Sequence, residues 1–279
     1  TQNGIRGGSA TVHFPIWHQE IQDIIVLKNN KGTEDNRVRK LDYSIQLSKI
    51  FYERFITNGE ITLFSPHDVP GLYEAFGTED FDELYVKYEN SDIPMKKVKA
   101  QELILDLLKE RAETGRIYLM NIDHCNSHSS FLDKVEMSNL CQEITLPTKP
   151  IQHIDDETGE IALCILSAVN IGKIRDLSDL EVLCDLSVRS LDELIDFQHY
   201  PVKAAELATK ARRSLGVGYI GLAHYLAKNG VKYEDQRAWE LVHDLTEAFQ
   251  YYLVKSTVEL AKEKGACKYS DRTKYGNGI

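Results

Sequence analysis

At 279 residues, 42% hydrophobic and 27% charged, the chain holds enough apolar side chains for one large core or two smaller ones, which excludes a disordered or fibrous polypeptide. A formal net charge of −10 argues against a broad nucleic-acid-binding face or an anionic-membrane partner, while leaving room for local basic pockets that hold phosphates. No apolar run long enough to span a bilayer and no signal peptide is evident, and the odd, widely spaced set Cys125, Cys141, Cys164, Cys184 and Cys267 fits a reducing cytoplasm better than a disulfide scaffold.

In chain order, Thr1 to Gly8 is rich in turn formers and reads as a loop. Pro15 is predicted to open a helix with Trp17, Ile21, Ile24 and Ile25 along one stripe, ended by Asn29-Asn30-Lys31-Gly32. His18 falls on that helix as a packed or surface residue. Leu41 to Leu47 alternates as a strand, Ser48 to Ile56 has helical spacing, and Ile61 to Phe64 is an apolar run stopped by Ser65-Pro66. Asp68-Val69-Pro70-Gly71 reads as a turn into a short helix. Residues 79 to 90 and 97 to 114 are predicted amphipathic helices, the second ended by Gly115, and Arg116 to Ile122 a buried strand. His124, Cys125 and His128 invite a zinc reading, but they lack the paired ligand spacing of structural zinc motifs.

Residues 138 to 170 carry the most chemistry. If 139 to 146 is extended, Asn139, Cys141 and Glu143 lie at i, i+2 and i+4 and share one face, presenting an amide, a thiol and a carboxylate together. Cys164 lies in a second apolar run, I-A-L-C-I-L, reached through a Pro-, Asp- and Gly-containing turn. A thiol can act as nucleophile, metal ligand, reductant or hydrogen-atom carrier. No His lies near Cys141 in sequence to serve as a hydrolytic base. On residue type alone, two buried core cysteines are the ordinary expectation.

Beyond this stretch the chain turns helical. Leu177 to Phe197 has a long apolar stripe with Cys184 in the core, and Pro201 begins a helix through Arg213 whose Lys210, Arg212 and Arg213 read as a solvated basic face. Gly216, Gly218 and Gly221 suggest close helix packing, since no strand is evident before them to support a dinucleotide loop. A last helix runs from about Asp235 to Glu263, with Cys267 incidental just past it.

The ordered motifs S-N-L-C-Q-E-I, L-P-T-K-P and G-E-I-A-L-C-I-L-S-A-V-N-I-G, with G-I-R-G-G-S-A-T, W-H-Q-E-I, L-K-N-N-K-G, N-R-V-R-K-L-D-Y, I-T-L-F-S-P-H-D-V-P-G-L-Y, T-G-R-I-Y-L-M-N-I-D-H-C-N-S-H and R-R-S-L-G-V-G, resemble the large catalytic subunit of class I ribonucleotide reductase over essentially all 279 residues. The resemblance implies an α/β fold, part of a ten-stranded α/β barrel with a largely helical carboxy-terminal portion. Residues 1–279 would be a partial catalytic barrel domain, 1–10 its specificity loop, and 138–170 the active-site finger loop and following strand.

The resemblance also implies roles. Cys141 matches the cysteine that becomes a thiyl radical and removes hydrogen from C3′ of the ribose, Glu143 the carboxylate that takes the 3′-hydroxyl proton, Asn139 the amide that holds the ribose hydroxyls, and Cys164 one of two cysteines that reduce the sugar. Gln2, Arg6 and Gly7 match the loop linking effector nucleotide to substrate base. No metal or cofactor is expected in this chain. The implied partners are a metal-containing, radical-generating small (beta) subunit, ATP or dNTP effectors, a ribonucleoside diphosphate, thioredoxin or glutaredoxin, and a second alpha subunit in a dimer. The second reducing cysteine, the radical-relaying tyrosine pair and the ATP-sensing cone match nothing here, so the chain reads as a central fragment that does not turn over alone, or as a catalytically idle piece that binds nucleotide or complements the rest of a split reductase. A glycyl-radical relative would share the barrel, but Gly276 and Gly278 lack the context of a radical-bearing glycine loop.

Overall fold

The computed structural model describes residues 4, 5 and 7–276. The chain divides into two compact units, Thr1–Pro147 and Thr148–Ile279, each built on its own parallel strands.

The first unit runs β1 (Thr11–Pro15), α1 (Ile21–Ile24), β2 (Asp42–Leu47), α2 (Lys49–Ile56), β3 (Glu60–Leu63), α3 (Leu72–Ala75), α4 (Phe81–Glu89), β4 (Lys96–Lys99), α5 (Ala100–Thr114), β5 (Ile117–Asn121) and α6 (Ile122–Ser127). Strands β1, β2 and β5 form a parallel sheet with β2 central, pairing His13 with Ser44 and Ile45 with Leu119. Alternation along β2 sends Ile45 and Leu47 into the hydrophobic core and sets Ser44 and Gln46, both buried, on the other face. Buried polar side chains must find hydrogen-bond partners, and these two find theirs in the thiol-bearing loop. The core itself is aromatic: Phe51 meets Phe76 and Tyr85 edge-on, and Trp17 meets Phe76 in the same way.

Two expectations are corrected in this unit. The helix predicted from Pro15 shrinks to the four residues of α1, because Pro15 ends β1 and the next backbone pairs with residue 64 instead. Gln19 N–H donates to the Phe64 carbonyl at 2.9 Å and Phe64 N–H to the Trp17 carbonyl at 2.8 Å. His18 accordingly sits in an isolated bridge, not on a helix. Residues 97 to 99, read as the start of a helix, belong to β4, which runs antiparallel to β3, and α5 begins only at Ala100.

The second unit runs β6 (Ile165–Asn170), α7 (Asp179–Phe197), α8 (Lys203–Arg212), β7 (Leu215–Ile220), α9 (Leu222–Lys228) and α10 (Gln236–Lys264). Parallel β6 and β7 pair in register from Ile165–Leu215 to Asn170–Ile220, and a core of Val169, Ile171, Leu180, Cys184, Leu245 and Phe249 joins them to α7 and α10. The glycine-rich stretch read as close helix packing is therefore strand β7. Of the basic cluster, Lys210 is exposed but the two arginines are not a solvated face. Arg212 is buried against Glu160, its Nη2 donating to Oε2 at 2.7 Å, and Arg213 forks onto Asp192 and Asp196.

Strands and helices alternate and the main sheets are parallel, as an α/β barrel segment requires. Among the described residues the strands form sheets of three, two and two, and no closed barrel is made.

Candidate active site

Asn139, Cys141 and Glu143 are brought together on one turn, not on a strand. Gln142 N–H donates to the Asn139 carbonyl at 3.2 Å, and Gln142 takes the left-handed conformation at φ 61°. The predicted i, i+2, i+4 shared face is therefore wrong in its geometry: the chain reverses over residues 139 to 142 and is not extended there. For a side chain other than glycine this conformation costs on the order of 1 kcal/mol.

The turn is closed from within. The Asn139 Oδ1 accepts from Ile144 N–H at 3.1 Å and from the Ser138 hydroxyl at 3.2 Å, and the same hydroxyl lies 2.5 Å from the Ile144 carbonyl. Asn139 is half-buried, while Cys141 and Glu143 are exposed. The turn is also fastened to the sheet. Thr11 Oγ1 donates to the Leu140 carbonyl at 2.6 Å, Gln46 Nε2 to the Glu136 carbonyl at 2.6 Å, and Gln142 bridges Ser44 and the Leu119 carbonyl. His13 lies beside the backbone of Ser138 and Asn139; burial pushes its imidazole below the ordinary value, and those backbone groups partly pull it back.

Upstream, Asn126 explains the D-H-C-N stretch. Its Oδ1 accepts from Val135 N–H at 2.8 Å and its Nδ2 donates to the Val135 carbonyl at 3.0 Å, tying α6 to the start of the thiol-bearing loop. His124 and His128 meet edge-on at 5.3 Å. Among the described residues, His124, Cys125 and His128 do not form a cluster able to share a cation; the one such group is His243, Asp244 and Glu247, exposed on α10.

Cys164 is half-buried in the second unit, immediately before β6 and not within it as expected. A Cβ added at Gly216 of β7 would come within 3.0 Å of the Cys164 sulfur and 2.4 Å of Leu166 Cδ2, so the glycine leaves the space the thiol occupies. This neighbour was missed in the sequence, although a glycine inside a strand signals a close approach. Cys184 is fully buried, and burial pushes its thiol up to about 11, which suits a core residue and not a reactive one. Burial likewise raises Cys125 and Cys267. Gly7 is exposed and an added Cβ there meets no atom within 4 Å, while Gln2 and Arg6 lie outside the described residues.

An α/β framework of parallel strands carries an amide, a thiol and a carboxylate on one fastened turn. Residues 1–279 match the family model described as ribonucleotide reductase, barrel domain, and the chain belongs to that family. It is 59% identical to the ribonucleoside-diphosphate reductase subunit alpha of Haemophilus influenzae, over 100% of this chain and 38% of the relative. It is 53% identical to the ribonucleoside-diphosphate reductase 1 subunit alpha of Escherichia coli, over 100% of this chain and 38% of the relative. With the subunit alpha of Enterobacteria phage T4 it shares 45% identity, over 100% of this chain and 37% of that protein. The chain thus spans little more than a third of the length of these relatives.

Proposed function

We propose that the chain supplies the hydrogen-abstracting and part of the reducing machinery of a ribonucleoside-diphosphate reductase alpha subunit, converting ribonucleotides to 2′-deoxyribonucleotides. The observation that carries the reading is the fastened turn, which carries Asn139 and Cys141, with Glu143 directly after it, and on which the thiol and the carboxylate are exposed. In this scheme a neutral thiyl radical at Cys141 takes the hydrogen atom from C3′, forming S–H and leaving a carbon radical. Glu143 accepts the 3′-hydroxyl proton as base, and the Asn139 amide donates to a ribose hydroxyl. The 2′-hydroxyl departs as water. Cys164 and a second thiol from outside this chain then give two electrons and end as a disulfide, and Cys141 returns its hydrogen to C3′.

The radical would come from a metal-containing beta subunit, and the disulfide would be re-reduced by thioredoxin or glutaredoxin. ATP and dNTP effectors, an alpha dimer and a cytoplasmic setting complete the reading; among the described residues no helix is long and apolar enough to cross a membrane. The test is steady-state reduction by a complete subunit carrying this segment. Cys141→Ser is expected to abolish turnover, because an alcohol O–H bond is too strong for the relay, and normal turnover in that variant would refute the assignment.

A further inference from the structure

Among the described residues, three outside glycine have positive φ: Asn58, Gln142 and Arg213. Asn58 and Arg213 follow α2 and α8, where a left-handed residue is an ordinary helix ending. Gln142 ends no helix. It stands between Cys141 and Glu143, and glycine would take its backbone shape without strain. What glycine lacks is the side chain. The Ser44 hydroxyl donates to Gln142 Oε1 at 2.5 Å, and Gln142 Nε2 donates to the Leu119 carbonyl at 2.6 Å, so one amide joins the turn to β2 and β5. Ser44 is fully buried, which makes it a fixed anchor. On the other side of Cys141, the Leu140 carbonyl is held by Thr11 of β1. The exposed thiol therefore sits between two residues tied to three strands, across 98, 23 and 129 positions of sequence.

We propose that Gln142 is a positioning residue: its amide latches the turn to the sheet, and this latch fixes where the Cys141 sulfur and the Glu143 carboxylate point. The proposal rests on the reading of Cys141 as the hydrogen-abstracting thiol. Strain at 142 and the latch act as a pair, since the bridge holds a backbone shape the residue would otherwise leave.

Two substitutions separate strain from latch. Gln142→Gly keeps the backbone shape and removes the bridge; Gln142→Glu keeps an acceptor for Ser44 but loses the donor to Leu119. Amide hydrogen exchange on the 279-residue chain should show Gln142→Gly speeding exchange at residue 144 by about tenfold, Gln142→Glu by less, with α5 and α7 unchanged. In a complete subunit assayed with its radical-generating partner, Gln142→Gly should lower kcat about tenfold and leave the nucleotide KM unaltered, a split that general destabilisation would not produce. Wild-type exchange at residue 144, or wild-type kcat, in Gln142→Gly overturns the latch and leaves the Cys141 assignment standing. Turnover by Cys141→Ser would instead sink that assignment, and with it any catalytic role for the latch, whatever the exchange rates.

Discussion

Burial drives the His13 imidazole below its ordinary pKa of 6.5, against the pull of the Ser138 and Asn139 backbone, and this couples pH to the unit that carries the thiol turn. Above the unfolded value His13 is neutral in both states and contributes no pH dependence. As pH falls below 6.5 the unfolded chain takes the proton first, so stability drops until the folded value is passed. His18, also depressed by burial, acts in the same direction. The urea midpoint of the chain should therefore fall between pH 7 and 5, and His13→Phe should shrink that fall; an unchanged slope in the variant would contradict the assignment. At position 216 the argument is steric. An alanine Cβ would press on Leu166 Cδ2 and the Cys164 sulfur, so Gly216→Ala should lower kcat of a complete subunit by about tenfold, and wild-type kcat would show that the sulfur has room to spare.

At the scale of elements, α8 is held by a buried ionic cluster. The Arg212 and Glu160 side chains are 4% and 6% exposed, and Arg272 and Lys149 also reach Glu160. Burial pushes the Glu160 carboxyl up, but Arg212 and Arg272 outweigh it and hold it below the ordinary value. Glu160→Gln leaves Arg212 without its buried counter-charge and should cost about 3 kcal/mol in urea unfolding, a loss under about 1 kcal/mol meaning the pair is better solvated than its burial implies. Neither the cluster nor its anchoring role was legible locally, because Glu160 and Arg212 are 52 positions apart. The helices α5, α7 and α10 were legible, each written in a long apolar stripe. Strand β7 was not, since Gly216 and Gly218 occupy places where strands favour branched side chains and only pairing with β6 reveals them. The Asn139–Gln142 turn was misread for the same reason: alternation over 139 to 146 favours a strand, and the bond that decides otherwise comes from Ser44. Residue type and order singled out 139, 141 and 143 as candidates, but the backbone shape of the turn was not legible. A hint lay in D-Y-S-I-Q-L, whose polar Ser44 and Gln46 alternate with core residues and so require partners.

At the scale of the whole molecule, family membership and the alternation of helices with parallel strands agree, while the described strands leave the barrel unclosed. The chain covers 38% of the Haemophilus influenzae and Escherichia coli relatives. The central claim is that Cys141 starts the reaction and Cys164 acts later. Release of tritium from 3′-labelled ribonucleoside diphosphate by a complete subunit and its radical-generating partner separates the two steps directly. Cys164→Ser should still release tritium while forming no deoxyribonucleotide, and Cys141→Ser should release none. Tritium release by Cys141→Ser at the wild-type rate would contradict the account.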